Sequence, residues 1–521
     1  MRAVVREWRR PSGAARGGRG GSGMGAMTRS RTVVAAIVAV SSVILVGGLA
    51  TPAGAAPAAP AAETPAPESP APVPAAPAPA EPAPAAPESA APESATPAPE
   101  PKAPYISPTA NQPVRVTKTF WYGDRRVALW VFSPAMNATI QVQMLLARDW
   151  WAKPKAKFPQ MLTLDGLRAQ EDQSGWIINT NIEDFYRDKN VNIVLPIGGE
   201  SSFYTDWREP DKNKLYRWET FLMKELPPIL EGQWRSTDVR GIQGLSMGGS
   251  AAMMLAARNP GFFKYAASFS GILQLTSYGM PQAIQFALRD GGGYDSMKMF
   301  GPPSDPAWKD HDPYVLADKL RGTSLYISSG NGMVGAHDKP SDIPMLATNY
   351  SGVGLEVLSR VTSQQFAIKL NQLGIPGQAV YRPSGTHTWP YWQFEMQQSW
   401  PQAQGALGLL GDHPSCRVGG AFKKVYNANR EMLGECLTPV YAVPGGKAQD
   451  FRGARIITGP KGPKIVGGGI GGAYVEAGGS GGKLGLPTSD ELPTADGKGR
   501  FNAFQRGKIV WTVKDGARVT K

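Results

Sequence analysis

Gly244-Leu245-Ser246-Met247-Gly248 sets one serine between two glycines, with the strand-like run Val239 to Leu245 before it and the helix-like Ser250 to Arg258 after it. Between a strand and a helix, this GxSxG pattern makes a sharp turn that exposes the serine hydroxyl. Glycines flank it because side chains there would meet neighbouring backbone. The N-terminus of the following helix adds partial positive charge, which favours a developing oxyanion. Such a serine attacks carbonyl carbons. A serine hydroxyl is a weak nucleophile at its ordinary pKa, so a base must take its proton.

Four histidines are available. His413 lies beyond the region that carries the serine, His311 sits in the polar segment KDHDP, and His337 comes early after a strand-like run. His387, in Ser384-Gly385-Thr386-His387-Thr388-Trp389, follows the last strand-like run, Gln378 to Arg382, and is the expected base. The orienting acid is less determined. Spacing after the strand Leu325 to Ser329 ranks Asp338 first, Asp342 second and Glu356, in GLEVLSR, third. The oxyanion needs two donors. The backbone N–H of Met247 is one, and Asp165-Gly166-Leu167-Arg168, after the strand Gln160 to Leu164, is the natural source of the other. This chemistry requires no metal and no cofactor, and none is expected.

These residues need a sheet to hold them. Gln160 to Leu164, Val191 to Pro196, Val239 to Leu245 and Leu325 to Ser329 read as buried strands, and Trp218 to Leu230 and Ser250 to Arg258 as helices between them. The alternation predicts an α/β fold with a parallel sheet covered by helices on both faces. This region spans Tyr105 to Leu410.

The remainder of the 521 residues divides by composition. Residues 1–55 hold an Arg-rich extension and an apolar run, Thr32 to Ala50, that exits through Ala53-Gly54-Ala55. Basic flank, hydrophobic stretch and small-residue exit predict a cleaved secretory signal, with Met24 or Met27 as alternative starts. Residues 56–104 are Pro/Ala-rich with scattered Glu and almost nothing to bury, an extended spacer. Residues 411–521 form a basic tail with 17 Lys and Arg against 9 acids from Asp412 onward. Net charge over the chain is +13, but eight Arg against one Glu in the first 32 residues and this tail supply it, so a nucleic-acid reading loses its support. The two cysteines, Cys416 and Cys436, cannot build a zinc site alone and are expected to form one disulfide in an exported chain.

LDGLRAQEDQSGWIINT (Leu164 to Thr180), PIGGESSFYTDW (Pro196 to Trp207), YRWETFLMKELP (Tyr216 to Pro227), GLSMGGSAA (Gly244 to Ala252), GPPSDPAWKDHDP (Gly301 to Pro313), SGNG (Ser329 to Gly332) and SGTHTWPYW (Ser384 to Trp392) follow one another along the chain. Together they closely resemble the antigen 85 mycolyltransferases and their corynebacterial-type relatives. The resemblance implies an α/β-hydrolase fold and transfer of a long branched mycolate from trehalose monomycolate to trehalose or another envelope sugar, with secreted ester hydrolysis as the alternative. It implies a triad of Ser246, His387 and Glu356, displacing Asp338, with oxyanion donors Leu167 and Met247. Asp165, Arg168, His387, Thr388 and Trp389 match its sugar-binding positions, and Gln274 falls where the family carries an acid. Ser329 replaces a family cysteine, and DKNKLYRW replaces a cysteine-containing segment. The segment MLLARDWWAKPKAKFP departs from the family and is expected to reshape the entrance.

In the tail, FRGARII from Phe451 and FQRGKIV from Phe504 recur about 53 residues apart around KLGLPTSDE. This resembles an LGFP repeat, read as one fairly complete copy and the start of a second. It implies retention at the cell envelope, with wall polymer as partner. So short an array needs support from the catalytic region or from that polymer.

Overall fold

The computed structural model describes residues 112–339 and 350–520. The expected signal, the Pro/Ala spacer and Asp342 lie outside the described residues.

The chain opens with an antiparallel meander of β1 (Arg115–Trp121), β2 (Arg126–Ser133) and β3 (Ala138–Leu145). It continues through β4 (Phe158–Leu164), β5 (Asn192–Pro196), β6 (Ser236–Leu245), β7 (Tyr265–Phe269), β8 (Ser324–Ser329) and β9 (Gly377–Tyr381). All nine join one sheet in the order β1-β2-β3-β5-β4-β6-β7-β8-β9, and the pairs from β5 to β9 are parallel. The sheet is therefore mixed, not wholly parallel as expected. The β1–β2 and β2–β3 connections, Tyr122 to Arg125 and Pro134 to Asn137, are too short for the crossover of a dozen or more residues that parallel neighbours require. β5 and β7 are buried at every position, as strands covered on both faces must be.

Three helices dress this sheet near the serine: α1 (Met247–Arg258), α2 (Tyr350–Gln372) and α3 (Trp389–Ala406). Residues Met247 to Ala257 of α1 are all buried, and four alanines among them let it press against β6 and β7. Leu358, Phe366 and Leu370 of α2 share the core cluster of α1, whereas Trp392, Met396 and Trp400 of α3 pack with Trp176 and Phe269 in a separate one. The expected helix Trp218 to Leu230 is a helical run with a π-helical turn at Phe221–Glu225. In the segment expected to reshape the entrance, Trp150 stacks on Trp234 at 6.3 Å and under Arg235 at 3.6 Å, in the core and away from the cavity described below. The aromatic pair gains more by filling the end of the β3–β4 connection than by standing at a mouth.

The tail folds as two successive units of similar make, each a helix followed by four strands. α4 (Gly420–Ala428) precedes β10 (Tyr441–Val443), β11 (Gly446–Asp450), β12 (Arg455–Gly459) and β13 (Gly462–Val466). α5 (Gly468–Glu476) precedes β14 (Leu492–Pro493), β15 (Gly499–Phe504), β16 (Gly507–Thr512) and β17 (Gly516–Thr520). Each set of four strands is an antiparallel sheet. The first unit lacks the KLGLPTSDE signature, reading CLTPVY at Cys436 to Tyr441. Cys416 and Cys436 are joined, with Cα atoms 6.2 Å apart.

The two units lean on the catalytic region. A β-carbon on Gly472 of α5 would lie 2.5 Å from the Trp121 carbonyl oxygen, so only glycine permits this approach. Arg455 Nε donates to Asp450 at 2.6 Å, and its Nη2 lies 3.7 Å from Asp124, which also pairs with Arg187 at 3.3 Å. Burial opposes the Asp124 charge, but Arg187, Arg455 and Arg125 outweigh it and hold the carboxyl below its ordinary pKa. Asp412 belongs to the catalytic side: its carboxylate accepts from Arg148 at 2.7 Å and from Asn190 Nδ2 at 2.9 Å.

Candidate active site

Ser246 sits where β6 turns into α1, with φ 52° and ψ −122°. A non-glycine residue held at positive φ is strained, and such strain gathers at functional turns. The flanking glycines are required by contact: a β-carbon on Gly244 would lie 2.3 Å from the Gly248 oxygen, and one on Gly248 would lie 2.4 Å from the Asp165 oxygen. The Ser246 N–H donates to the Phe269 carbonyl at 2.8 Å, fixing the turn to β7.

His387 Nε2 lies 2.8 Å from Ser246 Oγ, and His387 Nδ1 lies 2.7 Å from Glu356 Oε2. With Nδ1–H directed at the carboxylate, Nε2 is left to accept from the serine. Glu356, on α2, is 1% exposed. Its other oxygen, Oε1, accepts from Ser270 Oγ at 2.9 Å and from the Gly330 N–H at 2.6 Å, and Trp392 Nε1 donates to Ser270 Oγ at 3.1 Å. A buried carboxylate needs such partners, since desolvation without them costs several kcal/mol. Ser270, Gly330 and Trp392 are not legible from motif spacing.

Gly166 packs beside the nucleophile: a β-carbon there would lie 3.6 Å from Ser246 Cβ. The Leu167 carbonyl accepts from the Ser201 N–H at 2.9 Å, which pins the loop after β4. Met247 is the first residue of α1, so its N–H has no acceptor within the helix.

A cavity of about 590 Å³ opens over these groups. Asp165, Leu167, Arg168, Ser246, Met247 and His387 line it, as does Trp389, while Phe203, Ile272, Ile284, Phe286, Leu355 and Leu358 make much of the remaining wall apolar. Arg168 reaches Asp290 at 2.8 Å, both well exposed. Asp165 is buried; its Oδ2 accepts from the Gly175 N–H at 3.1 Å and its Oδ1 has no partner. Burial pushes its carboxyl up to about 7, against hydrogen bonds from the Gly175 and Trp176 backbone. Gln274 and Thr388, expected at the sugar, do not line the cavity. Gln274 lies between the buried Leu273 and Leu275, and Thr388 caps the start of α3, its carbonyl accepting from the Tyr391 N–H at 3.2 Å and its hydroxyl turned to Thr386 at 3.1 Å. Ser329 ends β8, buried and without a partner for its hydroxyl. Among the described residues no group of three or more His, Cys, Asp or Glu is placed to hold a metal.

A cavity at the carboxyl ends of β4 and β6, with a strained serine turn between strand and helix, defines an α/β-hydrolase of the esterase type. Residues 133–403 match the family described as putative esterase, and residues 484–521 match the LGFP repeat. The chain is 39% identical over 289 residues to the diacylglycerol acyltransferase/mycolyltransferase Ag85B of Mycobacterium leprae (strain TN), covering 54% of this chain and 83% of that protein. It is 38% identical to Ag85A of Mycobacterium tuberculosis (strain ATCC 25618 / H37Rv), covering 54% of this chain and 81% of the relative. Among solved structures it is similar to Mycobacterium tuberculosis MPT51 (FbpC1), at 28% identity and a TM-score of 0.46 over 54% of this chain and 97% of that one. The chain belongs to the antigen 85 mycolyltransferases of the putative-esterase family, and it carries an LGFP repeat at its C-terminus.

Proposed function

We propose that the protein moves mycolyl groups from trehalose monomycolate to trehalose or other envelope sugar hydroxyls through an acyl-enzyme on Ser246. The observation that carries this is the continuous line from Ser246 through His387 to Glu356 at the floor of a cavity that is apolar over much of its wall and polar at Asp165 and Arg168.

In this mechanism Ser246 Oγ attacks the ester carbonyl and gives its proton to His387 Nε2. Glu356 stabilises the imidazolium, and the N–H groups of Leu167 and Met247 receive the oxyanion. The C–O bond to trehalose breaks, and His387 returns the proton to the departing sugar oxygen. The acceptor hydroxyl then loses its proton to His387 and attacks the acyl carbon, and as the acyl–Oγ bond breaks His387 returns the proton to Ser246 Oγ. Asp165, Arg168 and Trp389 hold sugar, and the apolar wall takes acyl chain. A cavity of about 590 Å³ is the size that encloses a drug-like ligand, so it holds only part of a long branched acyl group. The protein is exported and held at the envelope by its C-terminal units, which contact wall polymer.

Purified protein given a trehalose monoester tests this. Diester is expected from the wild type, and the Ser246→Ala variant is expected to lose roughly 10⁴ to 10⁶ in kcat while keeping its fold. Free acid as the sole product would favour the esterase alternative, and a folded Ser246→Ala protein that still transfers acyl groups would refute the covalent route.

A further inference from the structure

We propose that Asp338 is a positioning residue for the base, clamping both sides of His387 so that the imidazole stays in register with Ser246 and Glu356. This rests on the catalytic assignment made above. With Glu356 as the acid, Asp338 has no expected role and its exchange for Asn would be silent; its contacts argue otherwise.

The loops that leave β8 and β9 run against each other. Asn331 Nδ2 donates to the Pro383 carbonyl at 2.6 Å, the Gly332 N–H to the Gly385 carbonyl at 2.8 Å, and the Gly385 N–H to the Met333 carbonyl at 2.7 Å. A β-carbon on Gly330 would lie 2.3 Å from the Gly385 oxygen, so the two backbones touch. Asp338 closes this junction at its far end. Its Oδ1 accepts from Thr386 Oγ1 at 2.8 Å, and its Oδ2 accepts from Tyr391 Oη at 2.5 Å and from the Gly335 N–H at 2.7 Å.

Thr386 is buried and directly precedes His387, whereas Tyr391 stands in the first turn of α3, just beyond it. One carboxylate thus ties down the chain on either side of the base without touching the imidazole. Three donors converge on two oxygens, and a charged carboxylate holds all three more strongly than a neutral amide, whose NH₂ would have to face Thr386 and turn that hydroxyl from donor to acceptor. Burial, and Asp338 after it, raise the Tyr391 phenol above its ordinary pKa, so it remains a donor at neutral pH. Asp338 is therefore the carboxylate that spacing ranks first, placed beside the histidine loop and doing a different task from the triad acid.

The full chain with a trehalose monoester provides the test, read as kcat and KM together with the rate at which a fluorophosphonate labels Ser246. Asp338→Asn is expected to lower kcat and the labelling rate about 10- to 100-fold, the scale of a misplaced catalytic group, with KM within about twofold. Thr386→Val should lose a similar factor, and Thr386→Ser, which restores the hydroxyl, should recover most of it. The double variant Asp338→Asn/Thr386→Val should be no slower than the worse single one, because both break the same tie. A lowered melting temperature with kcat per labelled serine unchanged, or a raised KM at unchanged kcat, would overturn the clamp. If Asp338→Asn does not fold, Thr386→Val and Tyr391→Phe decide by the same readouts. Full-rate Asp338→Asn beside inert Ser246→Ala removes only the clamp, whereas an active Ser246→Ala removes the catalytic reading beneath it.

Discussion

Ser270 Oγ donates to Glu356 Oε1 at 2.9 Å, so the buried carboxylate that faces His387 on one oxygen is steadied from the end of β7 on the other. Glu356→Gln keeps the shape but removes the charge that stabilises the imidazolium. The expected loss is about 10³- to 10⁴-fold in kcat with the melting temperature nearly preserved. Ser270→Ala should cost less in rate, but it leaves Trp392 Nε1–H buried without an acceptor, for about 1 to 3 kcal/mol of stability. Steady-state kinetics and thermal melts on the same preparations check both. Wild-type turnover by Glu356→Gln would remove Glu356 from the triad.

Asp165 gives the protein a pH dependence of stability. Its carboxyl is raised from 3.8 to about 7 in the folded state by burial, so between those values the unfolded chain releases a proton that the folded chain keeps. The contribution is fully present below about pH 4 and is lost as pH rises through 7, with a ceiling of about 4 kcal/mol. Asp165→Asn does not titrate, so the stability difference between variant and wild type should shift in the variant's favour from pH 4 to pH 8. Urea unfolding at several pH values measures it; a difference that does not change with pH would mean that Asp165 titrates as an ordinary carboxyl.

How far the sequence reaches depends on whether a role is local. The turn at Ser246, the strands at Gln160 to Leu164 and Val239 to Leu245, and the loop Asp165 to Arg168 are each defined by a few consecutive residues; the strands lie within β4 and β6, and the loop and the turn follow directly at their carboxyl ends. The acid is not local. Glu356 reaches His387 because α2 runs back across the sheet, and spacing after β8 selects Asp338, which lies at the same loop but bonds Thr386. Ser270 carries no motif, and Trp392 ends SGTHTWPYW without any sign there of a partner, so the support both give the acid is recognisable only by contact. Gln274 and Thr388 show the reverse case, in which a matched position does not put a side chain in the cavity. The antiparallel start is not visible in strand-like composition, which does not state direction; the short connections do.

Arg455 should be a measurable part of the joint between the C-terminal units and the catalytic region. It is buried against Asp450 and Asp124, with its guanidinium 5.1 Å from the Trp151 ring. Arg455→Met fills the space but leaves two buried carboxylates with less compensation, an expected loss of about 3 kcal/mol. Adding Asp124→Asn should recover part of it. Thermal melts of the two variants check this, and a melting temperature equal to wild type in Arg455→Met would show that the joint does not depend on the pair.

Removing residues 414–521 separates anchoring from catalysis. The cut falls after Asp412, whose bonds to Arg148 and Asn190 keep it with the catalytic region, and every proposed catalytic residue lies before it. Transfer to soluble trehalose esters at low temperature should be largely unchanged. The melting temperature should fall, because α5 no longer covers β1 and the Asp124 cluster loses Arg455. The shortened enzyme should leave the envelope for the medium. From Asp412 onward the net charge is +8, and attraction of that kind is screened over about 8 to 10 Å at physiological salt. Retention by charge alone is therefore washed out by high salt, whereas two folded units that bind wall polymer hold through the wash. Fractionating cells that express full-length or shortened protein, with and without added salt, separates the two modes. Complete envelope retention of the shortened enzyme would show that the C-terminal units are not the anchor.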